Sequence, residues 1–448
     1  MPKTLLLHPL MVNEGTIQPA DVLIENDKIA EIRNAGSEWG STTGINVIDA
    51  KGLYLFPGII DSHVHFREPG NIHKGDLKTE SMAAVAGGVT SIMEMPNTQP
   101  PVTTLHRLEE KFLLAGQKCL ANHSFYFGTD GKNMSDIILL DPKTCCGLKI
   151  YLGTTTGGLA LHNKKQIREI FERCPVMIAA HCEDDELVQI NLQSAIEKFG
   201  ENIPFHQHAV IRSEEVCFIS TKFAVELARE SNAKLMVMHL STEKELSLFE
   251  NQSPLDRKKI LSEVCVHHLW YDDSGYEKLN GKLKCNPSVK DEHHKYALRN
   301  ALKNGTIDIV STDHAPHTIS EKQKNYSDCP SGLPLIQHSF NMMLCLWKEG
   351  IVTLEQIAEK MCHHPATCFN IFNRGFIRKN YFADLVLVDL KQDTIVKQED
   401  ILYKCDWSPL ENSTLTGKIM MTYVNGNLVF REGKIQTGKT GKPLLFIR

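Results

Sequence analysis

The chain has 448 residues, a formal charge of -5 and a pI near 6.5, with 42% apolar and 23% charged residues and no low-complexity tract. That balance is ordinary for a globular protein, excludes the basic footprint of a nucleic-acid binder, and gives enough length for roughly two or three domains. The longest basic runs, such as Arg257 to Lys259, read as solvated helix surface.

At the N-terminus "MPKTLLLHPLMVNEG" carries a short apolar run that His8 and Pro9 interrupt, with no small-residue cleavage site after it. No stretch approaches the roughly 18 to 20 apolar residues of a membrane span. These features place the protein in the cytoplasm, away from membranes. The thirteen cysteines are scattered without a C-x-x-C pair, so neither a disulfide framework nor a cysteine zinc site is expected.

Residues 20–32, "ADVLIENDKIAEI", predict a hairpin around an Asn-Asp turn. Eight short apolar runs then alternate with helical stretches: "LFPGIID", "GVTSIMEM", "HSFYF", "GLKIYL", "VMIAAH", "LMVMHL", "ILSEVCV" and "IDIVSTD". In "SEEVCFISTKFAVELARESN" the residues Val216, Ile219, Phe223 and Leu227 recur three or four apart, which predicts an amphipathic helix. After the eighth run, "FADLVLVDL" and "MTYVNGNLVFREG" give a buried strand and an Asn-Gly hairpin, so both ends are β-rich.

The positions of polar residues favour a barrel over a doubly wound sheet. Barrel enzymes place their chemistry at the C-terminal ends of strands. His63 and His65 follow the first run and Asn97 the second; Lys149 lies in the fourth, and His181 and His239 close the fifth and sixth. His267 and His268 follow the seventh and Asp313 closes the eighth. The expected architecture is α/β: a (β/α)8 TIM-like barrel over 56–374, with a small β-sandwich formed by 1–55 and 375–448.

Four imidazoles and a carboxylate, from His63, His65, His181, His239 and Asp313, suit one or two divalent ions such as zinc. Lys149 is a misfit there, because an ammonium beside a metal is repelled. A neutral amine that adds carbon dioxide becomes an anionic carbamate with two oxygens, one for each ion; the plainer alternative is that Lys149 neutralises an acidic neighbour.

The stretches "GIIDSHVHFREPG", "MPNTQPP", "GLKIYLG", "AAHCED", "MHLST" and "STDHAPH" resemble the motifs of the amidohydrolase superfamily, and specifically of class I dihydroorotases. The resemblance covers nearly the whole chain. It implies two Zn2+ ions, one held by His63, His65 and Asp313, the other by His181 and His239, bridged by carboxylated Lys149. It also implies Asp313 as general acid/base, and Arg67, Asn97 and His317 gripping a substrate carboxylate. "CNPSVK" is similar to the family's Asn-Pro-Pro-Leu-Arg stretch, with Ser288 and Lys290 as departures, which implies Asn286 as a pyrimidine contact; in "PSGLPLIQHS" backbone contacts are expected around Gly332 and Leu333, because glycine lets the main chain approach a ligand. "LGTTTGG" at 152–158 has the composition of a mobile loop over the site.

The implied activity is the reversible, zinc-dependent cyclisation of N-carbamoyl-L-aspartate to L-dihydroorotate in pyrimidine synthesis, in a homodimer. Rival readings are an allantoinase- or hydantoinase-like cyclic amidohydrolase and a non-catalytic partner subunit. The plain alternative for Arg67 is an ion pair with Glu68 or another acid. His206 and His208 copy the H-x-H spacing but read as a loop before a helix. His123, His162, His293, His294, His363 and His364 read as packing or surface residues, while His267 and His268 stay open. Asp61 is expected to shape the turn or orient a ligand.

Overall fold

A computed structural model describes residues 3–153, 158–436, 438 and 441–448. The eight apolar runs are all strands: Ile59–Val64, Val89–Glu94, Asn122–Phe125 (continued by Phe127–Gly128), Leu148–Leu152, Ile178–Cys182, Leu235–Val237, Ile260–Cys265 and Ile309–Ser311. Consecutive strands pair in parallel. A bridge from Val64 to His314 joins the eighth strand to the first, closing the barrel.

Side chains of a strand alternate between faces, and in a closed barrel both faces are buried. Ile92, Leu148, Ile150, Ile178, Ala180, Leu235 and Val237 point outward into the core beneath the helices. Ile60, Met93, Ala179, Met236, Leu261 and Ile309 point inward and fill the barrel with Tyr126 and Phe369. Above that plug the inward positions turn polar, and Lys149, Tyr151, His181 and Glu263 occupy them because their parity matches the residues below.

The helix expected in 213–232 spans Glu214–Ser231 and ends at Asn232, whose φ of 59° is left-handed. Its buried face differs from the expectation. Val216 and Leu227 are buried, but Ile219 is exposed, and small residues such as Cys217, Ser220, Thr221, Ala224 and Ala228 make the contact. Close approach to the barrel favours small side chains over the large apolar ones that a periodicity count rewards.

The two chain ends share one ten-stranded sheet. Tyr54–Pro57 pairs antiparallel with Leu385–Ile395 and parallel with Leu10–Asn13. The expected hairpins are present: Thr16–Glu25 with Lys28–Asn34, and Thr414–Val424 with Asn427–Arg431. Asn425 and Gly426, at φ 49° and 72°, supply the two left-handed residues of the second turn. Beyond the sheet the chain returns to the barrel, where Leu444 and Phe446 join the interior plug. Among the described residues no helix is long and apolar enough to cross a membrane.

Candidate active site

His63, His65, Lys149, His181, His239 and Asp313 line one pocket at the C-terminal end of the barrel strands, together with Arg67, Asn97, Tyr151, Asn286, Ala315, Ser331 and Gly332. Nine of the ten residues expected to act thus share one wall. The tenth, His317, stands behind Arg67, with its Nε2 3.0 Å from the guanidinium.

Backbone strain marks the positions that aim these groups. Arg67, His239 and Asp313 take φ values of 71°, 42° and 47°, a left-handed conformation that disfavours side chains with a Cβ. Such residues persist where the surroundings over-determine them, and they cluster at functional sites. For Arg67 the surroundings include a buried ion pair: Lys111 Nζ lies 2.8 Å from Glu94 Oε2, and Glu94 Oε1 accepts from the Phe66 amide at 3.0 Å.

Two histidines are held so that their outer nitrogens are bare. His63 Nδ1 lies 2.8 Å from Glu263 Oε1 and donates to it; His65 Nδ1 lies 2.7 Å from Asn97 Oδ1 and donates likewise. With Nδ1 as the donor, each Nε2 is free to present a lone pair, and burial pushes His65 down to about 4. Both lone pairs face the same oxygen: Asp313 Oδ1 is 3.2 Å from His63 Nε2 and 3.0 Å from His65 Nε2. Three ligand atoms thus converge, both nitrogens within 3.2 Å of the shared oxygen, and Asp313 Oδ1 lacks a hydrogen bond of good geometry. That arrangement fits a cation and repels itself without one.

The second cluster has the same character. His181 donates from Nε2 to Glu183 Oε2 at 2.9 Å, leaving Nδ1 to face His239 Nε2 at 2.9 Å. His239 Nδ1 is buried and unpartnered. The clusters adjoin, with the rings of His63 and His239 5.3 Å apart.

Lys149 lies between them, fully buried, and burial lowers its amine to about 8. Among the described residues no carboxylate lies within 4 Å of it, and its nearest polar contact is Met238 Sδ at 3.0 Å. Glu263 and Asp313 act on it from farther away, but neither forms an ion pair with it. Arg67 is equally without an acid within 4 Å among the described residues, and Glu68, once its expected partner, pairs with Lys118. Arg67 Nε donates to the Pro316 carbonyl at 3.0 Å, which turns the remaining fork toward the pocket.

Other expectations find definite places. Asp61 shapes the turn: its carboxylate accepts from the His63 amide at 3.2 Å and the Thr312 hydroxyl at 2.6 Å. Asn286 Oδ1 accepts from Ser331 Oγ at 3.0 Å. Gly332 has φ +143°, and a side chain there would run into the Ala315 carbonyl and the His317 ring. His208 sits between Tyr326 Oη and the Cys285 carbonyl, 2.8 Å from each, outside the pocket lining. His267 and His268 are buried, and with Cys265 they bring ligand atoms within 4.8 Å of one another. The core of the "LGTTTGG" loop, 154–157, lies outside the described residues.

Sequence reasoning passed over Glu263 and Tyr151. Glu263 also accepts from the His239 amide at 3.3 Å, so one carboxylate braces a histidine of each cluster. The available signal was a charged or hydroxylated residue inside an apolar strand run.

The profile of the amidohydrolase family matches residues 54–429. The chain belongs to that family. Within it, the chain is 31% identical over 429 residues to a dihydroorotase of Methanosarcina mazei, covering 92% of this chain and 91% of that protein. A dihydroorotase of Methanosphaera stadtmanae is 29% identical over 420 residues, covering 93% and 94%. Among solved structures, the L-hydantoinase (dihydropyrimidinase) from Arthrobacter aurescens superposes with a TM-score of 0.92 at 26% identity, covering 99% of this chain and all of that one.

Proposed function

We propose that the protein is a dihydroorotase, interconverting L-dihydroorotate and N-carbamoyl-L-aspartate, with ring closure as the direction of pyrimidine synthesis. The observation that carries this reading is Arg67: a buried guanidinium without an acid of its own, in the pocket wall beside the metal-competent cluster. A ring acid brings the carboxylate that this fork lacks. Hydantoin and dihydrouracil have none, which ranks the hydantoinase reading second despite the shared fold.

In this reading His63, His65 and Asp313 would hold one zinc ion, and His181 and His239 would hold a second. Lys149, as a neutral amine that adds carbon dioxide to become a carbamate, would give the ions an anionic ligand. When bound, the ions would polarise the ring carbonyl and make water nucleophilic at neutral pH. Arg67 holds the substrate carboxylate, with His317 and the Pro316 carbonyl fixing the guanidinium. Asn97 keeps His65 in one tautomer while lining the pocket. Asn286 and the backbone at Gly332 face the ring. Asp313 takes the proton of the attacking water and returns it to the leaving ring nitrogen, and ring closure reverses these steps.

The deciding experiment is hydrolysis of L-dihydroorotate by zinc-loaded protein supplied with bicarbonate, beside hydantoin, dihydrouracil and allantoin. Selective turnover of dihydroorotate is expected. Preference for an uncharged ring would replace this reading with the hydantoinase one. No turnover of any ring by metal-loaded protein would leave a non-catalytic partner subunit.

A further inference from the structure

Tyr151 follows Lys149 by two residues on the strand Leu148–Leu152, so both side chains point into the barrel mouth. It lines the pocket with Arg67, Asn286 and Asp313, is 3% exposed, and its hydroxyl has no hydrogen-bond partner among the described residues. Buried phenol hydroxyls are nearly always satisfied, and an orphan in a pocket wall is matched to what the pocket receives. The ring is held firmly. The His181 ring packs 6.1 Å away and Lys149 Nζ lies 5.0 Å from the ring centroid. The Tyr151 carbonyl also accepts from the Leu161 amide at 2.9 Å.

Asp313 and Arg67 are the charged groups that face this phenol. A phenol carries a donor O–H at neutral pH, so the Tyr151 hydroxyl can give a hydrogen bond to an acceptor brought into the pocket. Under the functional reading above, Arg67 fixes the substrate carboxylate and Asp313 must reach both the attacking water and the leaving nitrogen. Tyr151 lines the same pocket as those two anchors, so its hydroxyl is within the wall that receives a ring held between them.

We propose that Tyr151 is a catalytic residue whose hydroxyl donates a hydrogen bond to the ring carbonyl oxygen as that oxygen gains negative charge. In the hydrolytic direction the water oxygen bonds to the carbonyl carbon, the ring C–N bond breaks, and the water's proton reaches the nitrogen through Asp313. Tyr151 keeps its own proton throughout. The hydrogen bond is stronger to the developing oxyanion than to the neutral carbonyl, so it acts on kcat more than on KM.

Tyr151→Phe tests this, because it keeps the ring and its packing and removes only the oxygen. A purely structural tyrosine would lose an unsatisfied buried group, and the variant would be as active as the wild type and equally or more stable. The proposal expects equal or higher thermal stability, unchanged bound metal, KM within threefold, and kcat lower by about 10²- to 10³-fold. A kcat within twofold of wild type, or a loss confined to KM, would overturn it. The proposal rests on cyclic-amide hydrolysis, so wild type is first assayed on the four rings named above. If it opens a ring other than dihydroorotate, the functional reading falls, while the same comparison on that ring still decides Tyr151. If it opens none, both fall.

Discussion

At the scale of single residues the site is organised by which histidine nitrogens are left bare. Glu263 and Asn97 each take one ring proton, so His63 and His65 present lone pairs to the same place as Asp313. Glu263→Gln keeps the size but can offer its NH2 instead of an acceptor, and it weakens the hold on both histidine clusters. Metal affinity should fall by about 10- to 100-fold, read by competition with a chelator; affinity equal to wild type would mean the carboxylate does not orient them. Arg67→Gln separates binding from chemistry. Losing a charge-assisted contact of about 2–3 kcal/mol should raise KM for dihydroorotate by roughly 30- to 150-fold, with bound metal unchanged. Metal loss in that variant would show that Arg67 supports the cluster rather than the substrate. The metal-competent residues were legible in the sequence because histidine, lysine and aspartate at strand exits have no packing reason to be there. Glu263 and Tyr151 were not, since each sits within an apolar run whose alternation can be read only once the barrel fixes which parity points inward.

At the scale of elements the segment Ile319–Gly332 depends on two buried lysines without carboxylate partners. Lys322 Nζ donates to the carbonyls of Lys284, Pro330 and Gly332 at 3.0, 2.8 and 3.0 Å, and Lys284 Nζ donates to the carbonyls of Tyr326 and Cys329. These ammonium groups brace the loop that delivers Ser331 and Gly332 to the pocket. Burial lowers both to about 8, well below the ordinary value near 10.4 of an unfolded lysine. Between those values the unfolded chain binds more protons than the folded one, so this contribution to stability rises with pH. Below about pH 8 both states are protonated and the full penalty stands. Compared with Lys322→Met, the wild type should therefore gain stability from pH 8 to 10, by on the order of 3 kcal/mol for this one lysine. Denaturant unfolding of both proteins at several pH values would measure it, and a pH-independent difference would place the lysine's folded pKa near its ordinary value. The eight strands and the helix Glu214–Ser231 were plain from pattern alone. This brace was not, since its donors and acceptors are backbone atoms that composition does not mark.

At the scale of the whole molecule the barrel is shut from beneath by the far end of the chain. Sequence pattern marked both ends as β-rich, and the ten-stranded sheet that joins them agrees, but the last residues do something no local pattern announces. Lys442 O accepts from the His123 amide, Leu444 N donates to the His123 carbonyl, and Phe446 N donates to the Lys143 carbonyl. Leu444 and Phe446 thereby enter the cluster that holds Tyr126, Met177, Met236 and Phe369. The partners are some 300 residues apart in sequence, beyond the reach of any periodicity. The plug lies at the opposite end of the strands from His181 and Asp313, so its packing and the chemistry can be separated. Phe446 is 4% exposed, and Phe446→Ala should lower unfolding free energy by about 3–5 kcal/mol through lost burial and the cavity left behind. The same variant at a temperature where it is folded should keep its KM, since Phe446 is not among the residues that line the pocket. A loss of stability together with a raised KM would instead mean that the interior transmits strain up the strands to Lys149 and Tyr151. Close packing makes that transmission physically possible, and the paired measurement of stability and KM separates it from a plug that acts only on folding.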